Sequence, residues 1–246
     1  MWKGQTVTSK AEAKAAVKFP ADRIMALRTD RHMPRKQYNR LIRSMQAVFD
    51  QVPNLDLVIH CRPDDEGGRL ADTASKYPKH QGRIRATRAH DSWRGIPANE
   101  LNVLYNAADI YVSNSAEGFG LTIAEAVAAG TPVVGMDYSA VPEVIGPAGV
   151  LVPVGHLIDN EYDHYWASVD ERAFAKAVVM LANNRTMRET TGKRGPKHVR
   201  TMFSWDHAAE QFRDLFDAAI ADTETSPVLL PSIEELDSEG VEAVAV

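Results

Sequence analysis

The chain has one cysteine, Cys61, among its 246 residues. A lone thiol closes no internal disulfide, and no Cys-rich metal pattern accompanies it, so a reducing cytoplasm is the simplest home. No apolar run approaches the ~20 residues that a membrane-spanning helix needs. The first residues, MWKGQTVTSKAEAKAAVKFP, carry no apolar core of the signal-peptide kind. Cations are missing from the end of the chain: beyond Arg213 there is no Lys or Arg, while seven acids run from Asp222 to Glu242. Taking those seven from the 33 acids leaves 26 against 28 bases, so the body is near neutral. That balance excludes broad electrostatic capture of nucleic acid. Also absent are a Gly-x-Ser-x-Gly elbow, a Walker loop and a His-Glu-x-x-His pair. No Gly-x-Gly-x-x-Gly opens the first helix, which argues against a dehydrogenase.

What is present is an alternation of apolar runs and helical patterns. RIMALRT (23–29), LDLVIHC (55–61), RIRATRA (83–89), DIYVSNS (109–115), PVVGM (132–136) and GVLVPV (149–154) read as strands. Between them, 35–52 is an amphipathic helix with Leu41, Ile42, Met45, Val48 and Phe49 at helical spacing. Helices are also expected over 67–78, 97–108, from Gly120 to a stop at Gly130 and Pro132, and near 141–145. Two or three more close the chain, at about 169–183, 185–201 and 205–221. Strand–helix alternation of this kind implies an α/β fold: one Rossmann-like domain with a parallel sheet and helices on both faces. The expected layout is a lead-in at 1–21, a Rossmann-like domain at 22–221 and an acidic, mobile tail at 222–246. Ligands of such sheets bind beyond the strands' carboxyl ends, which gathers the loops at 30–36, 62–67, 88–96, 114–121 and 136–142.

The unusual residues lie in those loops. In NSAEGFGLTIAEAVAAG (114–130), Gly118 and Gly120 let backbone approach a ligand, and the helix that follows offers unpaired N–H groups to a phosphate. Glu117 stands before this seat and Glu125 about a turn into the helix. Two readings fit the spacing. Both acids face one ligand, or Thr122 and Glu125 form a capping box and Glu117 is a solvated loop charge. In RTDRHMPRK (28–36), Arg31, Arg35 and Lys36 place three cations beside the same edge. Cations at a helix start oppose its dipole, which favours a bound anion there. Asp64, Asp65 and Glu66 offer either a divalent-cation seat or a solvated loop; the loop is the expectation, because the neighbouring cations already supply neutralisation. His90 and Asp91 are a weaker acid/base candidate, Glu143 is either a site acid or a helix-start acid, and Cys61 is a small core residue.

These stretches, RHMPRK, GIPANELNVLYNAADIYVSNSAEGFGLTIAEAVAAGTPVV, VPEVIGPAGVLVPV and FSWDHAAEQFRDLF, resemble the donor-binding domain of the group 1 glycosyltransferases (family 4, GT-B architecture) from about residue 22 to 218. The resemblance implies that Glu117 binds donor-sugar hydroxyls and Gly118, Phe119 and Gly120 line the sugar and phosphate. It implies that Leu121 and Thr122 amides meet the diphosphate, Glu125 holds the ribose, and Arg31 and Lys36 neutralise the leaving group. The nucleobase would lie near Arg88 to Trp93. The implied activity is metal-independent, retaining transfer from a UDP- or GDP-sugar. In GT-B enzymes another domain binds most of the acceptor. Residues 1–22 are too few to build one, so either a separate acceptor domain or chain, or an excised or reduced form of the enzyme, is expected. The alternative is a non-catalytic nucleotide-sugar-binding or regulatory module. Glu125→Ala and Lys36→Ala are each expected to weaken donor binding with the fold intact.

Overall fold

A computed structural model describes residues 9–87, 95–159 and 165–225. In chain order the elements are α1 (Lys10–Ala16), β1 (Ile24–Thr29), α2 (Tyr38–Gln51), β2 (Leu55–His60), β3 (Asp64–Asp65), β4 (Gly68–Arg69), α3 (Leu70–Ser75), β5 (Ile84–Ala86) and α4 (Ala98–Ala107). There follow β6 (Ile110–Ser113), α5 (Leu121–Ala128), β7 (Val133–Met136), α6 (Val141–Ile145), β8 (Gly149–Val152), β9 (Val154–Asp159), β10 (Tyr165–Val169), α7 (Glu171–Asn183), α8 (Arg185–Gly192), α9 (Gly195–Met202) and α10 (Trp205–Thr225). The contacts divide the chain after Thr201; the segment from Met202, which carries α10, is a unit of its own. Among the described residues no helix is long and apolar enough to cross a membrane.

Six strands form one sheet in the order β5-β2-β1-β6-β7-β8, and every neighbouring pair is parallel. Strands β2, β6 and β7 are buried along their whole length, as strands covered on both faces must be. One face is packed by α2 and α7. Leu41, Ile42, Met45, Val48 and Phe49 of α2 and Phe174, Val178 and Leu181 of α7 join Ala26, Ile59, Ile110, Val112 and Val134 in a single core. Asp170 caps α7, accepting from the amides of Arg172 and Ala173 at 2.9 Å. On the other face α1 packs on α4. The α1 residue Lys14 reaches Asp109, just before β6, at 2.7 Å, and Asp109 accepts from the Met25 amide.

The chain order reverses at the centre. From β1 the strands step outward to β2 and β5; from β6 they step the other way to β7 and β8. The loops after β1 and β6 therefore leave in opposite senses, and a crevice opens between them. The two strands share a short register, Ala26 with Ile110 and Leu27 with Tyr111, against six residue pairs between β1 and β2.

Local departures from the sequence pattern have physical causes. The helix expected over 35–52 is a 3₁₀ turn at Pro34–Lys36 followed by α2. Gln37 breaks it with φ 51°, and its side chain donates to the Ala167 carbonyl at 2.8 Å. The helix expected over 67–78 shrinks to Leu70–Ser75, because the β3–β4 hairpin takes its start. The stretch 185–201 divides into α8 and α9. The antiparallel β9–β10 hairpin was not anticipated.

Candidate functional site

Two loops build the crevice. After β1 the chain passes Asp30 and Arg31 to the turn that carries Arg35 and Lys36. After β6 it passes Asn114 and Ser115 to Glu117, Gly118 and Gly120. Lys36, 5% exposed, places its ammonium 2.8 Å from Asp30 Oδ1 and 2.5 Å from Glu117 Oε1. Glu117, 7% exposed, also accepts from Ser115 Oγ at 3.0 Å and lies 3.4 Å from Arg35 Nη1. Arg35 donates to the Ala116 carbonyl at 2.9 Å. Behind this layer Arg28 is fully buried. It donates to Ser115 Oγ at 2.8 Å and meets Asp30 Oδ2 at 2.8 Å as an ion pair rather than an aligned hydrogen bond. Three cations (Arg28, Arg35 and Lys36) thus face two carboxylates (Asp30 and Glu117), leaving an excess of positive charge.

The electrostatics follow from these contacts. Burial alone would push Glu117 up, but the charges of Arg28, Lys36 and Arg35 and the Lys36 hydrogen bond hold its carboxyl below the ordinary range. The backbone of Glu117 is also held. Its carbonyl accepts from Ser139 Oγ at 3.0 Å and from the Ala140 amide at 3.3 Å. The reading of Glu117 as a solvated loop charge is therefore replaced: it is buried, with Lys36 and Ser115 on Oε1 and Arg35 beside Oε2.

Gly120 is the N-cap of α5, with φ 90°. No side chain caps this helix and no acid lies in its first turn. The amides of Ile123 and Ala124 bond back to the Gly120 carbonyl, so the donors ahead of them point outward at the positive end of the dipole. A Cβ on Gly118 would meet nothing within 4 Å, whereas one on Gly120 would crowd Ile123 and Glu117 at 3.1 and 3.3 Å. Phe119 and Leu121 flank the turn as exposed apolar side chains. Thr122 lies inside α5, so the capping-box reading of Thr122 and Glu125 fails. Glu125 instead accepts from the Tyr105 hydroxyl at 2.6 Å. Burial pushes its carboxyl up, the Tyr105 hydrogen bond draws it down, and the Asp30 charge adds to the rise.

Arg31 does not join the Lys36 cluster in this structure. Its side chain is 56% exposed and grips Asp65 through Nε at 3.1 Å and Glu66 through Nη2 at 2.7 Å. The acidic stretch is solvated at Asp64 and Glu66, but the Asp65 side chain is mostly buried against Arg31: Asp64–Asp65 pair with Gly68–Arg69 as a hairpin that meets the Arg31 loop, with the Gly67 amide on the His32 carbonyl. No group of three or more metal-ligating side chains occurs among the described residues. His90, Asp91 and the expected nucleobase loop at 88–93 lie outside the described residues, as does the acidic tail from 226 onward. Glu143 stands in the first turn of α6, and Cys61 is buried, its thiol pushed up to about 12 by that burial.

Sequence reasoning missed Arg28, Asp30, Ser115 and Tyr105. Arg28 follows four apolar residues in a buried strand, and a charged residue at such a position is itself a signal, since a buried guanidinium requires a partner.

The family described as "Glycosyl transferases group 1" matches residues 23–184. The chain is 32% identical over 193 residues to a D-inositol 3-phosphate glycosyltransferase of Corynebacterium glutamicum (strain R), covering 78% of this chain and 42% of the relative. It is 30% identical over 186 residues to a phosphatidyl-myo-inositol mannosyltransferase of Mycobacterium leprae (strain TN), covering 75% and 43%. The chain thus spans less than half the length of these curated relatives. Among solved structures, sucrose-phosphate synthase from Thermosynechococcus elongatus superposes with a TM-score of 0.62 at 27% identity, over 86% of this chain and 49% of that one. The C-terminal domain of a glycosyl transferase group 1 family protein from Francisella tularensis shares the fold, with a TM-score of 0.61 at 20% identity, over 81% of this chain and 95% of that domain.

Proposed function

The chain belongs to the group 1 glycosyltransferases, and from that premise and the crevice geometry we propose that it is the donor-binding module of a retaining, metal-independent glycosyltransferase. It takes a UDP- or GDP-sugar and presents it to an acceptor held by a separate domain or chain. The observation that carries this reading is the contact of Lys36 with Glu117 across the crevice, beside the uncapped start of α5.

In this reading the diphosphate rests on the α5 amides of Leu121 and Thr122, with Lys36 on its flank. Gly118 and Gly120 give it room, and Phe119 lines the sugar. Glu117, ionised and fixed by its cations, accepts from donor-sugar hydroxyls, and Glu125 accepts from the ribose. Arg31 exchanges its acidic partners for the diphosphate when the donor arrives. During transfer the bond between the anomeric carbon and the phosphate oxygen breaks, and negative charge grows on that oxygen. Prearranged cations and helix amides stabilise that charge without reorganising, the largest kind of gain available to such a site. The acceptor oxygen bonds to the anomeric carbon from the face that the phosphate leaves. Its proton passes to the departing phosphate, so no separate side-chain base is required. The same cations take the charge-neutralising part that a divalent ion plays at other phosphate sites.

Calorimetry with UDP, GDP and their sugars tests donor binding, with Glu125→Gln as the control. The expected result is saturable binding that Glu125→Gln weakens about tenfold, the weight of one hydrogen bond to a charged group. No binding of any nucleotide by the folded chain would overturn the reading. Release of nucleoside diphosphate is then followed with an acceptor-binding domain and an acceptor; the relatives named for D-inositol 3-phosphate make a phosphorylated polyol the first to try. Tight binding without turnover in that assay assigns the chain as a regulatory nucleotide-sugar-binding module instead.

A further inference from the structure

The hydroxyl of Tyr105 joins two parts of the crevice. Tyr105 is fully buried on α4. Its phenol oxygen lies 2.6 Å from Glu125 Oε2 and 2.7 Å from Thr29 Oγ1. Thr29 in turn lies against Tyr111, whose hydroxyl donates to the Thr29 carbonyl at 2.9 Å. With Glu125 ionised, the direction of the bonds at Tyr105 is fixed. The carboxylate accepts, so Tyr105 spends its single proton on Glu125. The Thr29 hydroxyl must then donate to Tyr105, and the Tyr111 proton goes to the Thr29 carbonyl. A one-way chain of donors runs from β6 through the last residue of β1 to α5.

That chain ends on one oxygen of a half-buried carboxylate. Glu125 has no other hydrogen-bond partner among the described residues, so Oε1 is left over. Nothing in α5 itself holds the side chain, because the helix is capped at Gly120 without a side-chain bond. We propose that Tyr105 is a positioning residue for Glu125: its phenol engages Oε2 and turns Oε1 toward the crevice to receive a hydroxyl of the donor's ribose. The proposal rests on the assignment of Glu125 to the ribose. It adds that recognition of the sugar diol depends on a buried residue that touches no ligand, and that the ribose end is tied to Thr29, next to the loop that bears Lys36. On balance the Glu125 carboxyl is raised above its ordinary value, burial being the largest cause. Burial pushes Glu125 toward its protonated form, the Tyr105 bond draws it back, and Asp30 is the other charge that acts on it.

The test uses the whole chain and whichever of UDP and GDP it binds, beside the matching 2′,3′-dideoxy nucleotide. Wild type is expected to prefer the ribonucleotide at least about tenfold, the weight of one hydrogen bond to a charged group. Tyr105→Phe is expected to lose most of that preference while its affinity for the dideoxy nucleotide stays as in wild type. A merely structural Tyr105 would weaken both nucleotides alike. Tyr105→Phe folds if Thr29 Oγ1 turns to Tyr111, 3.1 Å away. Should it fail to fold, Thr29→Val removes the donor behind Tyr105, leaves the phenol in place, and is expected to narrow the preference in the same sense. Full preference retained by the folded variants overturns the proposal and leaves the ribose assignment standing. No preference in wild type itself overturns the ribose assignment, and the proposal with it.

Discussion

Lys36 and Glu117, 81 residues apart in sequence, form a buried ion pair at 2.5 Å, and Asp30 holds the same ammonium from the other side at 2.8 Å. A cation shared by two carboxylates is part of the fold as well as of the site.

Replacing it therefore does more than weaken a ligand. Lys36→Met leaves Asp30 and Glu117 buried with one counter-charge fewer, and breaking a buried pair costs about 3–5 kcal/mol. Arg28 and Arg35 remain nearby, so the low end, about 3 kcal/mol, is expected in urea unfolding. This revises the expectation from sequence that Lys36→Ala leaves the fold intact. A stability within about 0.5 kcal/mol of wild type would show that the pair is not formed in solution.

Acid should unlock the same cluster. The folded pKa of Glu117 lies below its unfolded value, which is about 4.3. As pH falls, the unfolded chain takes up the proton first, so stability falls with pH. The contribution is complete above the unfolded value and is lost as pH drops through the folded one. The expected result is a melting temperature that declines between about pH 5 and pH 3, with a shallower slope in Glu117→Gln. Asp65 is likewise held low by Arg31, so some slope persists. An identical slope in the variant would remove Glu117 from the account.

Gly120 offers a backbone test. Its φ of 90° and the contacts a Cβ would make with Ile123 and Glu117 oppose any side chain. Gly120→Ala is expected to destabilise by about 1–2 kcal/mol. Nucleotide affinity should fall further than stability, because the methyl group also alters the seat at the helix start. Paired melting and calorimetric titrations check this. Unchanged affinity in a destabilised variant would move the phosphate away from this turn.

Arg31 is held by Asp65 and Glu66 at a largely exposed position. Asp65→Asn weakens the grip and should tighten diphosphate binding, more at low salt than at high, since an exposed ion pair is screened. Arg31→Ala in the same background should remove the gain. Titration of UDP and GDP at two salt concentrations reads both effects. Affinity that does not respond to Asp65→Asn would mean that Arg31 stays with the hairpin when nucleotide binds.

The legible part of the fold was its apolar grammar. Val, Ile and Leu runs locate β1, β2, β6 and β7, because strands covered on both faces have no polar alternation to confuse them. Gly120 marks the start of α5 for the same local reason, a positive φ that only glycine takes easily. The most specific part of the family resemblance is the stretch from Glu117 to Val134, whose glycines and acids are close in sequence. What escaped was decided by distant partners. Gln37 adopts a left-handed turn held by Ala167, 130 residues away. Arg28 and Asp30 look like stray charges in a strand and its loop until Ser115 and Lys36 arrive. Tyr105 looks like one more apolar helix residue until Glu125 meets it. Arg31 reads as a site cation until the β3–β4 hairpin, too short to announce itself, supplies Asp65.

The reversal of strand order also bears on cohesion. β1 and β6 meet over two residue pairs, so the halves of the sheet are joined there by the narrowest seam. A ligand gripped from both loops would act as a brace across that seam. Its binding free energy adds to the resistance of the whole sheet to unfolding, growing with the logarithm of ligand concentration. Donor bound in the crevice would then hold the two halves of the sheet together, and removing it would lower the stability of the fold.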